Sequence, residues 1–127
     1  MPFDGASNPV AEALLKLQEE LELYGEDGWV KEHWHIQSLS KNQFCILGRL
    51  LDSQGFIADN GIDGDFELNS TCAEAIAILG RAAGYSNNSV EGAASVVMGF
   101  NDEECTIFDD VKALVARAIS LVFAKGV

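Results

Sequence analysis

Residues 98 to 106 read MGFNDEECT: an apolar run that breaks into Asn101-Asp102-Glu103-Glu104, with a cysteine and a threonine behind it. Carboxylates at this density can move protons or hold a metal. They are also what the positive N-terminal end of a helix favours, each by about 0.3–1 kcal/mol. The helix that follows explains their position without a reaction. A second grouping is Cys45 with His33 or His35 and Asn101 or Asp102, the ingredients of a small hydrolase or metal-dependent enzyme. Against it, Cys45 lies within FCILG, between apolar residues on a predicted helix, where an unactivated thiol behaves as a small core hydrophobe. No catalytic residue is therefore assigned. His33 and His35 share a face if their segment is extended, but zinc needs at least one further ligand, and nothing in the spacing supplies it. With Trp29 and Trp34 alongside, GWVKEHWHIQ reads better as an aromatic anchor, folded onto the core or offered to a partner. Asp59, Asp63, Gly64 and Asp65 match part of a calcium loop, yet its third position is Gly61 and its twelfth is Ser70, so two ligands are missing. A solvated turn is expected there, with no metal and no cofactor bound. HExxH, GxSxG and a phosphate-binding glycine loop are absent.

The elements that must position these residues are mostly helical. Asn8 caps a first helix that begins at Pro9, presents Val10, Leu14, Leu17, Leu21 and Tyr24 inward, and stops at Gly25. Ser40 and Gln43 have capping-box spacing ahead of a second helix, with Phe44, Leu47, Leu50 and Leu51 as its stripe and Gly55 as its stop. Thr71 and Glu74 mark the start of a third, which buries Cys72, Ala75, Ile76 and Leu79 and ends at Gly84. A shorter helix covers Val90 to Met98. The last runs from about Ile107 to Phe123, with Thr106 and Asp109 as its capping pair. Its inner face is Ile107, Phe108, Val111, Leu114, Val115, Ala118, Ile119 and Val122. Residues 29 to 37 alternate as a short strand or extended arm would. The glycine-rich stretch from Gly55 reads as a long loop with Asn60-Gly61 as a candidate hairpin turn. The expected fold is all-α: a single domain, residues 1–127, of four to five helices with that arm near 29–37.

Composition sets the surface. With 127 residues the chain can bury about two thirds of its unfolded area, so neither a disulfide nor a metal is required for folding. Twenty acidic residues against eight basic ones give a net charge of −12, which disfavours direct nucleic-acid binding and favours basic partners. Most of the acids fall in three clusters, Glu19 to Asp27, Asp59 to Glu67 and Asp102 to Asp110. Three widely spaced cysteines without a CxxC, no secretory-type N-terminus and no membrane-length apolar run point to a reducing, cytoplasmic setting with all three thiols free and inaccessible.

The order GW (28–29), FCILGRL (44–50), FND (100–102), Thr106 and DVKALVARAISL (110–121) is similar to a family of small bacterial and phage proteins catalogued only as a domain of unknown function. The resemblance spans roughly residues 10 to 122. It implies one fold and corresponding positions at Trp29, Cys45, Gly48, Asn101, Asp102 and Thr106, and it implies no reaction. A pocket among Trp29, Cys45, Asn101 and Asp102 is the site it leaves open. The preferred functional expectation is a non-catalytic interaction protein. Glu19, Glu20, Glu22, Trp34, Glu103 and Glu104 would meet a basic protein surface, with the acids standing in for nucleic-acid phosphates as in some phage-encoded inhibitors. The competing expectation is the small enzyme built on Cys45, His33 or His35, and Asp102.

Overall fold

Asn8 sits in extended backbone and its Oδ1 accepts from the N–H groups of Val10 and Ala11, both at 3.1 Å, so α1 starts at Pro9 and runs to Tyr24. The computed structural model describes residues 8–31, 35–37, 42–54, 57–58, 61–62, 70–87 and 89–125. Over these the chain forms α1, a 3-10 turn (Glu26–Gly28), β1 (His35–Gln37), β2 (Asn42–Phe44), α2 (Ile46–Ser53), β3 (Ile57–Ala58), β4 (Gly61–Ile62), α3 (Ser70–Ala82), α4 (Val90–Asp102) and α5 (Phe108–Lys125). The architecture is all-α, with two antiparallel two-stranded ribbons, β1 with β2 and β3 with β4. No described helix is long and apolar enough to cross a membrane.

The five helices share one core. Leu14 and Leu17 of α1, Leu47 and Leu50 of α2, Leu79 of α3, Val97 of α4 and Leu114 of α5 are all fully enclosed. Each such side chain contributes about 1.5–3 kcal/mol relative to exposure, so this cluster holds the helices together. The inward spacing of α3 ends at Gly84, whose φ of +103° suits glycine. Tyr85 N–H donates to Gly80 O at 2.9 Å and Gly84 N–H to Arg81 O at 3.0 Å, the paired bonds of a Schellman stop.

Several boundaries differ from the sequence expectation. Residues 42–44 are strand, so α2 begins at Ile46 and not at Ser40, which lies outside the described residues, as does Gly55. Cys45 is its cap: Sγ accepts from Gly48 N–H at 3.2 Å. A sulfur is a weak acceptor, so the sequence carries no ordinary cap signal here. α4 runs one turn beyond Met98, because Ala93, Val97 and Asn101 continue a single inward row at four-residue spacing. α5 starts one residue later than expected. Asp110, not Asp109, reaches back, its Oδ2 accepting from Ile107 N–H at 3.0 Å. Thr106 is buried just before the helix instead of capping it, and Ile107 is exposed. Tyr24 is also exposed, Ile119 is only partly buried, and Cys105 is exposed where an inaccessible thiol was expected. The arm near residue 36 is a strand, and in the second ribbon Gly61 is a strand residue paired with Ala58, while Asn60 lies outside the described residues.

Candidate functional site

The residues expected to form a pocket do converge, and Asn101 is what gathers them. It ends the inner row of α4 and is 1% exposed. Its Oδ1 accepts from Trp29 Nε1 at 2.7 Å and from Ile46 N–H at 3.0 Å. Its Nδ2 donates to Val30 O at 3.0 Å and to Asp102 Oδ1 at 2.9 Å. An amide offers two lone pairs and two N–H groups, so every valence of Asn101 is used. The 29–31 arm, the first turn of α2 and the end of α4 are thereby tied to one side chain.

The arm is fixed by further contacts. Val30 N–H donates to Phe44 O at 3.1 Å, and Trp29 bridges Phe44 in parallel register. The Trp29 ring lies 5.9 Å from that of Phe108 at the start of α5, tilted by 48°. Lys31 Nζ stands 5.6 Å from the Trp29 ring centre and donates to Glu103 O at 2.6 Å. The carbonyls at the end of α4 thus gain a cation where the helix leaves negative partial charge.

Cys45 faces this knot without the means to act as a nucleophile. Its thiol is raised to about 11: burial is the main cause, the Gly48 and Leu47 N–H groups pull it down, and the nearby Asp102 charge pushes it up. At neutral pH a thiol in that condition is almost wholly protonated. Burial likewise raises Cys72. His33 and Trp34 lie outside the described residues, as do Asp59, Asp63, Gly64 and Asp65, while His35 belongs to β1. Among the described residues no group of three or more His, Cys, Asp or Glu side chains is arranged to hold a metal ion. An open cleft of about 300 Å³ lies elsewhere, lined by Asn8, Val10, Ile78, Arg81 and Val122 among others, and none of the expected site residues borders it.

The acidic residues divide by surroundings. Glu19, Glu22, Glu103 and Glu104 are exposed, and Glu22 pairs with Lys112 at 3.0 Å. Glu26, Asp27, Asp102, Asp109 and Asp110 are exposed as well. The Glu22–Lys112, Trp29–Phe108 and Lys31–Glu103 contacts bring the last turn of α1, the end of α4 and the start of α5 to one end of the bundle. The exposed carboxylates Glu22, Asp102, Glu103, Glu104, Asp109 and Asp110 therefore lie on segments that meet at one end of the bundle, beside Lys31 and Lys112. Glu20 differs: it is only partly exposed, and its Oε1 is buried. It is not part of that outer surface.

Two residues that organise this region escaped the sequence reading. Lys31 had no visible partner because backbone carbonyls 72 residues away leave no mark in sequence. Arg49, 4% exposed, follows the apolar FCILG run; its guanidinium lies 4.5 Å from the Tyr24 ring and 4.3 Å from the Phe44 ring. Comparison with family models, with curated proteins and with solved structures finds no match.

Proposed function

We propose that this chain is an acidic, non-catalytic interaction protein of the cytoplasm. Its acidic end engages a basic protein surface of the kind that nucleic-acid-binding proteins present to phosphate. The observation that carries the reading is the gathering of Glu22, Asp102, Glu103, Glu104, Asp109 and Asp110 at one end of the bundle, on a chain of net charge −12. Such a field speeds encounter with a positive surface and repels nucleic acid itself. The filled surroundings of Asn101 and the high thiol of Cys45 weigh against the small-enzyme alternative. The resemblance of its short sequence motifs to those of small bacterial and phage proteins is in keeping with an inhibitor carried on a mobile element.

The test is displacement. A fluorescent DNA duplex is bound to a basic, sequence-nonspecific DNA-binding protein, and this chain is titrated in. Release of the duplex at low salt, weakening steeply as salt rises, is the expected outcome. Failure to release it at any salt concentration, with no complex between the two proteins, contradicts the reading.

A further inference from the structure

Two points fix how α1 and α5 lie together. Glu22 meets Lys112 at 3.0 Å, and Val10 and Val122 line one cleft at the opposite end, so the two helices run antiparallel. Leu15 lies seven residues before Glu22, and Ile119 seven after Lys112. Seven residues return to nearly the same side of a helix about 10.5 Å along, which sets Leu15 level with Ile119. Phe123 follows one turn on. Leu15 is 40% and Phe123 43% exposed. The outer side of α5 continues this strip with exposed Ala113, Ala116, Ser120 and Ala124. From Ala113 to Ala124 the one charged residue is Arg117, and its Nε donates to Ala82 O at 3.0 Å, toward α3. A helix side left to water ordinarily carries charge, and this one does not. The charges beside the strip nearly cancel: Glu12, Glu19 and Glu22 are set against Lys16 and Lys112. A chain of net charge −12 thus has one face close to neutral.

We propose that the α1–α5 face binds a second copy of this chain about a two-fold axis lying between the copies. The axis crosses α5 between Ile119 and Ser120 and α1 near Leu14, and each helix then runs antiparallel over its counterpart. By residue count, Phe123 of one copy falls over the partner's Ala116, large on small, and Lys16 over the partner's Glu12. Each contact occurs twice, as two-fold symmetry requires. The same rotation carries the two acidic ends to opposite ends of the dimer, where their repulsion is least. With the 16-residue α1 about 24 Å long and the helix pair about 20 Å across, the face offers about 500 Å² per copy, close to the lower limit of about 1,000 Å² in total for a specific contact. The dimer is therefore reversible, with a dissociation constant on the order of 1 μM. It forms whatever the acidic end binds, and it presents that end twice.

Sedimentation equilibrium of the intact chain tests this with no other protein present, so the result is separate from that of the displacement assay. Wild type is expected to be a dimer at about 100 μM, about a hundredfold above that dissociation constant, and to dissociate on dilution. Ala116→Glu puts a carboxylate in the middle of the face at an exposed position. It should give a monomer with an unchanged circular dichroism spectrum. Lys16→Glu should weaken the dimer about tenfold, and Lys16→Glu/Glu12→Lys should restore it, because the exchanged charges meet again across the two-fold axis. Lys16→Glu/Glu91→Lys restores the net charge at an exposed position on α4 and should not restore the dimer. A wild-type monomer at about 100 μM leaves the face to a different protein and overturns the proposal. A dimer indifferent to Ala116→Glu closes through another surface and overturns it too. Equal rescue by Glu91→Lys and Glu12→Lys reduces the effect to net charge and contradicts the two-fold pairing.

Discussion

Asn101 spends two lone pairs and two N–H groups on Trp29, Ile46, Val30 and Asp102, all within 3.0 Å. Truncating it to alanine leaves the buried Ile46 N–H without its acceptor and the part-buried Trp29 indole and Val30 carbonyl without their partner. With about 1–3 kcal/mol for a buried group left unpaired and less for the part-buried ones, Asn101→Ala is expected to destabilise the fold by about 2–4 kcal/mol in denaturant unfolding. Trp29→Phe removes one donor and keeps most of the ring, so a loss of about 1 kcal/mol is expected. If Asn101→Ala costs no more than Trp29→Phe, Asn101 is not the tie that the geometry describes. The cysteines give a second test at this scale. Cys45, buried and raised to about 11, should react slowly with a thiol reagent in the native state, while exposed Cys105 reacts first. Rapid native labelling of Cys45 would restore the catalytic alternative. The sequence groups Trp29, Cys45, Asn101 and Asp102 as one site, but a helix ended at Met98 leaves Asn101 outside it. The missing signal was present in the four-residue row Ala93, Val97, Asn101, where an apolar face closes on an amide. Arg49 was not legible at all: its aromatic neighbours come from α1 and β2, and no local pattern marks a cation that will be buried between them.

At the scale of elements, helix starts and close approaches carry separate predictions. Asp110 accepts from Ile107 N–H, whereas Asp109, equally exposed, makes no such bond among the described contacts. Asp110→Ala should therefore cost about 0.5–2 kcal/mol of stability, the usual range for a lost cap, and Asp109→Ala only a few tenths. Thermal or denaturant unfolding distinguishes them, and equal effects would place the cap where the sequence spacing first suggested. Gly80 governs the α3–α4 contact. A Cβ built there falls 2.6 Å from Ala93 Cβ and 2.9 Å from Ala93 Cα, so the two helices would have to separate. Gly80→Ala is expected to destabilise by about 1–3 kcal/mol through overpacking, despite alanine's better helix propensity of about 1 kcal/mol. A stabilised variant would show that the helices can part at no cost. The helices themselves were legible, since Asn8, Gly25, Gly84 and the three-and-four spacing of leucines act within a few residues. The starts of α2 and α5 were not. A cysteine cap gives no recognisable signal, and two adjacent aspartates leave the register ambiguous by one residue.

At the scale of the whole molecule, charge was legible as a total but its arrangement was not. The sequence separates Glu19 to Asp27 from Asp102 to Asp110 by most of the chain; the antiparallel course that sets Glu22 against Lys112 brings parts of both to one end. Glu20, grouped with them by position, is only partly exposed, with its Oε1 buried. A surface of exposed carboxylates acts over a screening length of about 8 Å at physiological ionic strength, so its influence on a partner lies chiefly in the rate of encounter. The side chains of Glu103 and Glu104 are exposed, while their backbone carbonyls meet Lys31, so reversing their charge leaves that backbone contact available. The most direct measurement is the association rate of Glu103→Lys/Glu104→Lys with the basic DNA-binding protein used in the displacement assay, measured by stopped flow beside wild type across a salt series. The account predicts an intact fold by circular dichroism, association about tenfold slower than wild type at low salt, and a difference that shrinks as salt rises. Equal rates for the two proteins at low salt would contradict it.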